Sequence, residues 1–219
     1  MSELDMIKER HSVRNYLDKP IEAEKQEKLK ALIDEANEKG NLHLQFIEDS
    51  GKVFSRIMNK AMGLSTAPSV IVCIGPDDDT LDERVGYYGE KIVLAAQEMG
   101  LNTCWAGTYS GNKVEADIKE GERISIVIAI GYGANQGRPH KSKSFEEVTA
   151  GKAEKPDWFV QGVEAALLAP TAINQQKFLI TLNDDDTVSI TDKGGVLSKV
   201  DLGIVKYHFD IASKAARGL

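Results

Sequence analysis

The chain has 219 residues, a formal net charge of −7 and 42% hydrophobic residues, which is typical of a soluble globular protein with one large domain or two closely joined ones. The negative charge argues against a nucleic-acid-binding protein, and no apolar run approaches the roughly 20 residues that a membrane span needs. Residues 1–5 are acidic without an apolar core, so we expect no secretory signal. Cys73 and Cys104 lack partners at metal-ligand spacing, which predicts no zinc site, no disulfide framework and a reducing cytoplasm.

The first part of the chain is predicted to alternate helices and strands. A short helix over 4–9 precedes a long one over 22–39, which Gly40 is expected to end. The alternation at 42–46 predicts a strand with one dry face. Two more elements follow, a short helix and a β-branched strand covered on both sides, over 52–60 and 69–75.

The stretch 81–99 is strongly helical but contains Gly86 and Gly89. A glycine inside a helix costs about 1 kcal/mol relative to alanine, so we expect another helix or a flat ligand to approach closely there. Residues 123–131 form the clearest predicted strand, and an irregular basic loop follows over 132–143. The next helix begins at a capping box formed by Ser144 and Glu147.

The remaining residues repeat this order of elements in a shorter form. A polar stretch at 151–156 indicates a boundary. The predicted elements after it are a helix, a turn, two strands and a final helix, over 157–168, 169–176, 177–182, 187–191 and 200–216. Because helices and strands alternate without segregating, the pattern favours a mixed α/β or α+β sandwich.

Two guanidinium groups and a hydroxyl are concentrated in one segment, Arg10-His11-Ser12-Val13-Arg14-Asn15-Tyr16, here called the arginine segment. Arginine presents a planar fork of donors that suits phosphate or a ring edge, and Ser12 can bind a phosphate oxygen. On the residues alone, a polar turn that points its charges at water is favoured, because short motifs often match by chance. However, the pattern Arg-x-Ser-x-Arg-x-Tyr resembles the opening signature of the FMN-dependent nitroreductase family, which favours the anion-binding interpretation.

A second stretch, Ala169-Pro170-Thr171-Ala172-Ile173-Asn174-Gln175-Gln176, is here called the asparagine turn. It resembles the same family's pattern Ala-Pro-Ser-x-x-Asn-x-Gln-Pro-Trp, with Thr171 for the serine and Lys177-Phe178 replacing the Pro-Trp pair. A Pro-led turn exposes backbone amides, and Thr, Asn and Gln side chains can hydrogen-bond ring heteroatoms. Taken alone, the stretch is better explained as a helix-to-strand turn with capping side chains. Both motifs in one chain favour flavin binding.

Further parts also resemble the family. Residues 86–107 are similar to its central helix and the following Gly-Leu-x-x-Cys-Trp-x-Gly. The resemblance implies that four residues of this stretch neighbour the flavin: Trp105, Gly107, Thr108 and Tyr109. For Trp105, packing in the core is the alternative interpretation. Residues 131–133 and 141–147 resemble the late strand and the basic segment that closes on the FMN phosphate, with Lys141 and Lys143 in its basic positions.

The second motif is displaced relative to ordinary family members, in which both motifs lie early and FMN sits between two subunits. Residues 37–41 do not match it, the motif occurs instead at Pro170, and residues 200–208 resemble the central helix again. The resemblance therefore implies a single-chain pseudo-dimer with halves at 1–150 and 151–219 and one flavin per chain. It also implies an α+β fold (an α/β/α sandwich) with central sheets flanked by helices. We expect a monomer with an internal pseudo-two-fold axis, and further dimerisation is left open.

The resemblance implies an FMN-dependent oxidoreductase that passes electrons from NADH or NADPH to a small acceptor, such as a nitroaromatic or a quinone, by a ping-pong mechanism. Thr171 and Asn174 are expected near the reactive ring and Arg14 at its pyrimidine edge. The full implied FMN site is Arg10, His11, Ser12, Arg14, Trp105, Gly107, Thr108, Tyr109, Lys141, Lys143, Pro170, Thr171, Ala172, Asn174 and Gln176. Two alternatives stay open: a flavin carrier or sensor without turnover, and a flavin-free interaction protein.

Two residues outside this site have plain structural interpretations. His208 lies in a helical repeat, so we expect a packed or hydrogen-bonded histidine there and not a catalytic acid. Cys104, beside Trp105, is expected to be a buried small hydrophobe and not a redox thiol.

Overall fold

The computed structural model describes residues 2–49, 53–55 and 63–219. The helix predicted over 52–60 falls outside these residues except for 53–55. The chain divides into two compact units, each assembled from separate stretches. The arginine unit comprises Arg10–Leu81 and Lys91–Pro139, and the turn unit comprises Met1–Glu9, Asp82–Glu90 and His140–Leu219. The predicted division into halves at 1–150 and 151–219 concerns duplication within the sequence and stays a prediction.

The arginine unit contains a four-stranded antiparallel sheet in the order β1-β2-β4-β3. Its strands are β1 (Gln45–Glu48), β2 (Ser69–Pro76), β3 (Asn102–Ala106) and β4 (Glu122–Gly131). The first seven residues of β2 are buried, as the continuous β-branched run predicts for a strand covered on both sides. β3 was not predicted, because its short sequence lacks both an alternating pattern and a β-branched run.

The core of the arginine unit is aliphatic and aromatic. Its buried members come from the arginine segment, the chain before β2 and the sheet itself: Val13, Tyr16, Val53, Phe54, Leu64, Ala67, Val70, Val72, Ile74, Cys104, Ala106, Val127 and Ala129. Burying each large apolar side chain contributes about 1.5–3 kcal/mol. Because Val13 and Tyr16 belong to this core, the arginine segment is anchored to the sheet from within.

The strand predicted over 42–46 begins later than expected. Helix α2 (Ala23–Gly40) ends at Gly40, and the next residue adopts a left-handed conformation at the helix end. The Asn37 side chain hydrogen-bonds both backbone groups of Leu44. Its Oδ1 accepts from the Leu44 N–H at 2.6 Å, and its Nδ2 donates to the Leu44 carbonyl at 3.1 Å. With these groups engaged, Leu44 is not part of the ladder, and β1 starts at Gln45.

The turn unit combines helices with a three-stranded sheet in the order β5-β6-β7. Its strands are β5 (Thr149–Gly151), β6 (Phe178–Leu182) and β7 (Val188–Asp192), with β5 parallel and β7 antiparallel to β6. Its complete helices are α1 (Glu3–Glu9), α4 (Phe145–Val148), α5 (Asp157–Ala166) and α6 (Ser198–Arg217). The capping box predicted at Ser144 and Glu147 is present.

Helix α3 (Leu81–Glu98) contributes residues 82–90 to the turn unit, where it packs directly against α6. A Cβ added to Gly86 would stand 2.1 Å from the Val200 carbonyl oxygen, and one added to Gly203 would stand 2.0 Å from the Glu83 carbonyl oxygen. The close approach predicted at Gly86 is therefore confirmed, and the partner is another helix. Each of the two helices presents a glycine to the backbone of the other.

Among the described residues, no helix combines the length and the apolar character that a membrane crossing requires.

Candidate functional site

The arginine segment lies in extended form beside β3 and the loop that follows β4. The Val13 N–H donates to the Thr103 carbonyl at 3.0 Å, and the Leu17 N–H donates to the Tyr132 carbonyl at 2.8 Å. Tyr16 pairs with Gly133 in an isolated antiparallel bridge. Backbone bonds on both sides thus fix the segment that carries the two arginines.

Tyr16 anchors the end of the segment. Its hydroxyl donates to the Val13 carbonyl at 2.7 Å, and its N–H donates to Thr66 Oγ1 at 2.9 Å. Burial raises the pKa of the Tyr16 phenol well above its ordinary value, so the group stays neutral. Its role in the segment is therefore structural.

Charged and polar groups of the segment act on the pKa of the Cys104 thiol. Burial raises the pKa of Cys104, while the charges of Arg14 and Arg10 and a hydrogen bond with Ser12 act in the opposite direction. Cys104 itself is 1% exposed, as expected for a buried small hydrophobe. Arg10 is buried, Ser12 is half-buried and Arg14 is exposed, so the segment places polar groups both inside the unit and at its surface.

The loop after β4 packs against the arginine segment. Asn102, a buried residue that the sequence did not single out, accepts from the Gly133 N–H at 3.0 Å and donates to Gln136 Oε1 at 3.0 Å. Gly137 has a φ of +74°, and a Cβ there would stand 2.7 Å from the Cβ of the half-buried His11. The loop therefore packs tightly against the backbone at His11.

The residues predicted to line the flavin in and after β3 also lie in the arginine unit. Trp105 is half-buried and pairs with Ile128 of β4, and Tyr109 is half-buried and packs against the unit's core. Thr108 is half-buried, whereas Gly107 is exposed. These positions leave both interpretations of Trp105, flavin contact and core packing, as predictions.

The asparagine turn, in the turn unit, has an unusual backbone. Ile173, Asn174 and Gln176 have φ values of 49°, 56° and 45°. Non-glycine residues seldom adopt this left-handed region, and for a β-branched residue such as Ile173 it is an outlier. Such conformations persist only where surrounding contacts impose them, and they are concentrated at functional sites.

The turn and the predicted basic segment are hydrogen-bonded to each other. The Lys141 carbonyl accepts from Asn174 Nδ2 and from Gln176 Nε2, both at 3.0 Å. The Lys143 N–H donates to Gln176 Oε1 at 2.9 Å, and Lys143 Nζ donates to the Gln176 carbonyl at 2.8 Å. Gln176 is 2% exposed, so its amide fixes the shape of the turn, whereas Lys141 and Asn174 are exposed.

The start of the turn is held by Asp201 of α6, which the sequence did not single out. Its carboxylate accepts from the Ala172 N–H at 2.9 Å and from Gln175 Nε2 at 2.7 Å. Burial raises its pKa to about 6, against the effect of these two hydrogen bonds. The one feature of the sequence that could have indicated a special role for Asp201 is its place between two apolar residues, Val200 and Leu202.

Comparison with known proteins identifies the fold. The chain is similar in structure to a protein from Thermotoga maritima described as a "putative nitroreductase", with a TM-score of 0.68 and 23% identity over 99% of this chain and 85% of that one. A "putative nitroreductase in complex with fmn" from Desulfovibrio desulfuricans matches with a TM-score of 0.54 and 18% identity, over 71% of this chain and 98% of that one. A "Putative NADH Oxidase" from Clostridium acetobutylicum matches with a TM-score of 0.53 and 25% identity, over 69% of this chain and all of that one.

These structures confirm the predicted fold class, which is α+β with sheets flanked by helices and is nitroreductase-like. No curated protein matches the sequence. The family model described as "Putative TM nitroreductase" matches residues 3–213. Because this match spans nearly the whole chain, the protein belongs to that nitroreductase family.

Proposed function

We propose that this protein is an FMN-dependent oxidoreductase that takes electrons from NADH or NADPH and passes them to a small acceptor, such as a nitroaromatic or a quinone. The observation that carries the proposal is that backbone hydrogen bonds from Val13 and Leu17 fix the segment that carries Arg10, Ser12 and Arg14, in a chain whose net charge is −7. Family membership over residues 3–213 supports the same conclusion.

The donor set of the arginine segment fits a phosphate dianion. Two guanidinium groups and a hydroxyl supply charge-assisted hydrogen bonds, each worth about 1.5–3 kcal/mol when solvent is excluded. Arg10 is held inside the unit, which limits the conformational entropy that it loses when an anion binds. We infer that Arg10 and Ser12 hold the FMN phosphate and that Arg14 faces the anionic edge of the ring.

The asparagine turn fits the polar edge of a flavin ring. The Thr171 hydroxyl accepts from the Gln176 N–H at 3.1 Å and keeps a proton that it can donate to a ring heteroatom. The Ala172 N–H, by contrast, donates to Asp201, so the hydroxyl and not this amide is our candidate for the ring contact. When bound, FMN supplies the electron-transfer chemistry, and no residue of the chain has to act as a nucleophile.

The single-chain pseudo-dimer remains part of the proposal. The crossing of α3 and α6 at Gly86 and Gly203 supports it, because the family resemblance implies a central helix at both places. It predicts one FMN per chain and a monomer in solution. The ping-pong mechanism and the cytoplasmic location likewise stay predictions.

An anaerobic titration tests the proposal. The purified protein, reconstituted with FMN, is expected to bind one equivalent per chain, to bleach at 450 nm with NADH or NADPH, and to recover its colour with a quinone. A yellow protein that neither nicotinamide bleaches would indicate a carrier or sensor. A protein whose melting temperature ignores added FMN would indicate a flavin-free interaction protein, since ligand at 100 times its dissociation constant stabilises a protein by about 2.7 kcal/mol.

Two variants that each remove one positive charge test whether the arginine segment binds FMN. Arg14→Ala is expected to weaken FMN binding at least tenfold, because it removes a charge-assisted contact. Lys30→Ala removes an exposed cation of the same unit on α2, outside the segment, and it should leave the affinity unchanged. Equal effects of the two substitutions would show that net charge, and not the segment, attracts the flavin.

A further inference from the structure

The asparagine turn is a strained element that depends on contacts from outside itself. Three of its residues have left-handed backbones, a conformation that has an energetic cost for a residue with a Cβ. Ile173 is 87% exposed, so burial of its own side chain does not offset that cost. The hydrogen bonds at the two ends of the turn therefore decide whether it keeps its shape.

The two ends are held by different groups. At the C-terminal end, the backbone of Lys141 and Lys143 binds Asn174 and Gln176. At the N-terminal end, the Asp201 carboxylate receives two donors, the Ala172 N–H and Gln175 Nε2. Gln175 Nε2 also donates to the Val196 carbonyl at 2.8 Å, so Asp201 links the turn to the chain entering α6.

We propose that Asp201 is a positioning residue that holds the asparagine turn in the shape that contacts the flavin ring. The inference rests on the proposed function and extends it to a residue of α6. The Ala172 N–H lies within hydrogen-bond distance of both carboxylate oxygens, at 2.9 and 3.1 Å, and Gln175 Nε2 donates to Oδ2. A protonated carboxyl loses the negative charge that strengthens these bonds, and its proton occupies one of the two oxygens that the Ala172 N–H reaches, which loosens the start of the turn.

The surroundings of Asp201 raise its pKa, so its carboxyl gains a proton within the pH range in which the protein can be studied. The group is 8% exposed, and burial raises its pKa to about 6. The groups that act on it are the donors Gln175 and Ala172, which lower its pKa, and the Asp192 carboxylate at the end of β7, which raises it. Flavin affinity is therefore expected to fall as the pH drops through 6.

The test compares wild type with Asp201→Asn by calorimetric titration of FMN into the full-length apoprotein from pH 5 to pH 8. The FMN phosphate also gains a proton near pH 6, so the readout is the ratio of the two dissociation constants, in which that common effect cancels. The variant should bind about tenfold more weakly at pH 8. The ratio should approach one at pH 5, where the wild-type carboxyl is also neutral. Asp210→Asn, on the same helix, should match wild type at every pH.

Amide hydrogen exchange on the apoproteins gives a second readout that needs no flavin. Asp201→Asn should speed exchange at Ala172 and its neighbours in the turn. A ratio that is one throughout, or one that is raised but independent of pH, overturns the inference, as does unchanged exchange at Ala172. If Asp201→Asn speeds exchange at Ala172 but leaves FMN affinity unchanged, the turn does not serve the flavin, while binding by wild type still supports the proposed function. Wild type that binds no FMN overturns both.

Discussion

Glu90 and His208 form a hydrogen bond of 2.9 Å between Oε1 and Nε2, and both side chains are completely buried in the turn unit. The other ring nitrogen, Nδ1, lies 3.0 Å from the Ala165 carbonyl. Because a carbonyl only accepts, Nδ1 must carry a proton, and the Glu90 contact then needs one further proton on either partner. His208 is hydrogen-bonded within the fold, as expected from its place in a helical repeat.

Breaking this pair should destabilise the protein unless the hydrogen bond is preserved. His208→Ala leaves a buried carboxylate without the ring, and we expect a loss of about 3–5 kcal/mol in the free energy of unfolding. Glu90→Gln should cost much less, because its amide N–H can donate to the Nε2 of a neutral ring. Urea unfolding of both variants checks this expectation. Equal losses would show that the charge of Glu90, and not the hydrogen bond, is what the fold requires.

The crossing of α3 and α6 predicts a clash at Gly203. A Cβ there would stand 2.0 Å from the Glu83 carbonyl oxygen and 2.6 Å from the Tyr87 nitrogen, and backbone atoms cannot rotate away. Alanine gains up to about 1 kcal/mol of helix propensity over glycine, but overpacking typically costs 1–3 kcal/mol and more where backbone must move. Gly203→Ala should therefore lower the melting temperature.

Gly111→Ala is the matched control for Gly203→Ala. The nearest atom to its added Cβ is Tyr109 Cε2 at 3.8 Å, an ordinary van der Waals distance. The control should leave the melting temperature close to that of wild type. If Gly203→Ala is equally harmless, the two helices do not approach as closely as the structure indicates.

The sequence predicted the parts of the fold that depend on local pattern. The long helices and the strands β2 and β4 follow from apolar periodicity and β-branched runs, and the capping box at Ser144 follows from spacing. β5 was missed because three residues carry no periodic signal and form a strand only by pairing with β6. The start of β1 was misplaced because the Asn37 side chain competes for the backbone of Leu44.

Parts of the candidate site could not be predicted for a similar reason. Each of the two motifs is one uninterrupted stretch of sequence. Its residue types alone were therefore enough to suggest a ligand, an anion for the arginine segment and a flat ring for the asparagine turn. Asp201 acts on a residue 29 positions away, and Glu90 and His208 are 118 positions apart. A single sequence contains no local signal for such distant pairs, and only the packing of α6 against α3 and against the turn brings these groups together.

The raised pKa of Asp201 also predicts how stability depends on pH. A carboxyl whose folded-state pKa lies above its unfolded value contributes stability that is complete below the unfolded pKa of 3.8 and is lost as the pH rises through about 6. The stability of wild type relative to Asp201→Asn should therefore fall by roughly 2–3 kcal/mol between pH 4 and pH 7.5. Urea unfolding of both proteins across this range measures the difference. An increase with pH would mean that the hydrogen bonds from Ala172 and Gln175 outweigh the burial of the charge.

Thiol labelling tests how well the arginine segment is shielded from solvent. Cys73 and Cys104 are both buried, and burial raises the pKa of each thiol, so neither should react with a disulfide reagent at pH 8 in the folded protein. Two thiols per chain should react once the protein is unfolded in urea. Cys104 is the informative one, because Arg14, Arg10 and Ser12 act on its thiol. Rapid labelling of Cys104 with Cys73 still protected would show that the segment opens to solvent in the native state, and FMN that binds there should then slow the reaction.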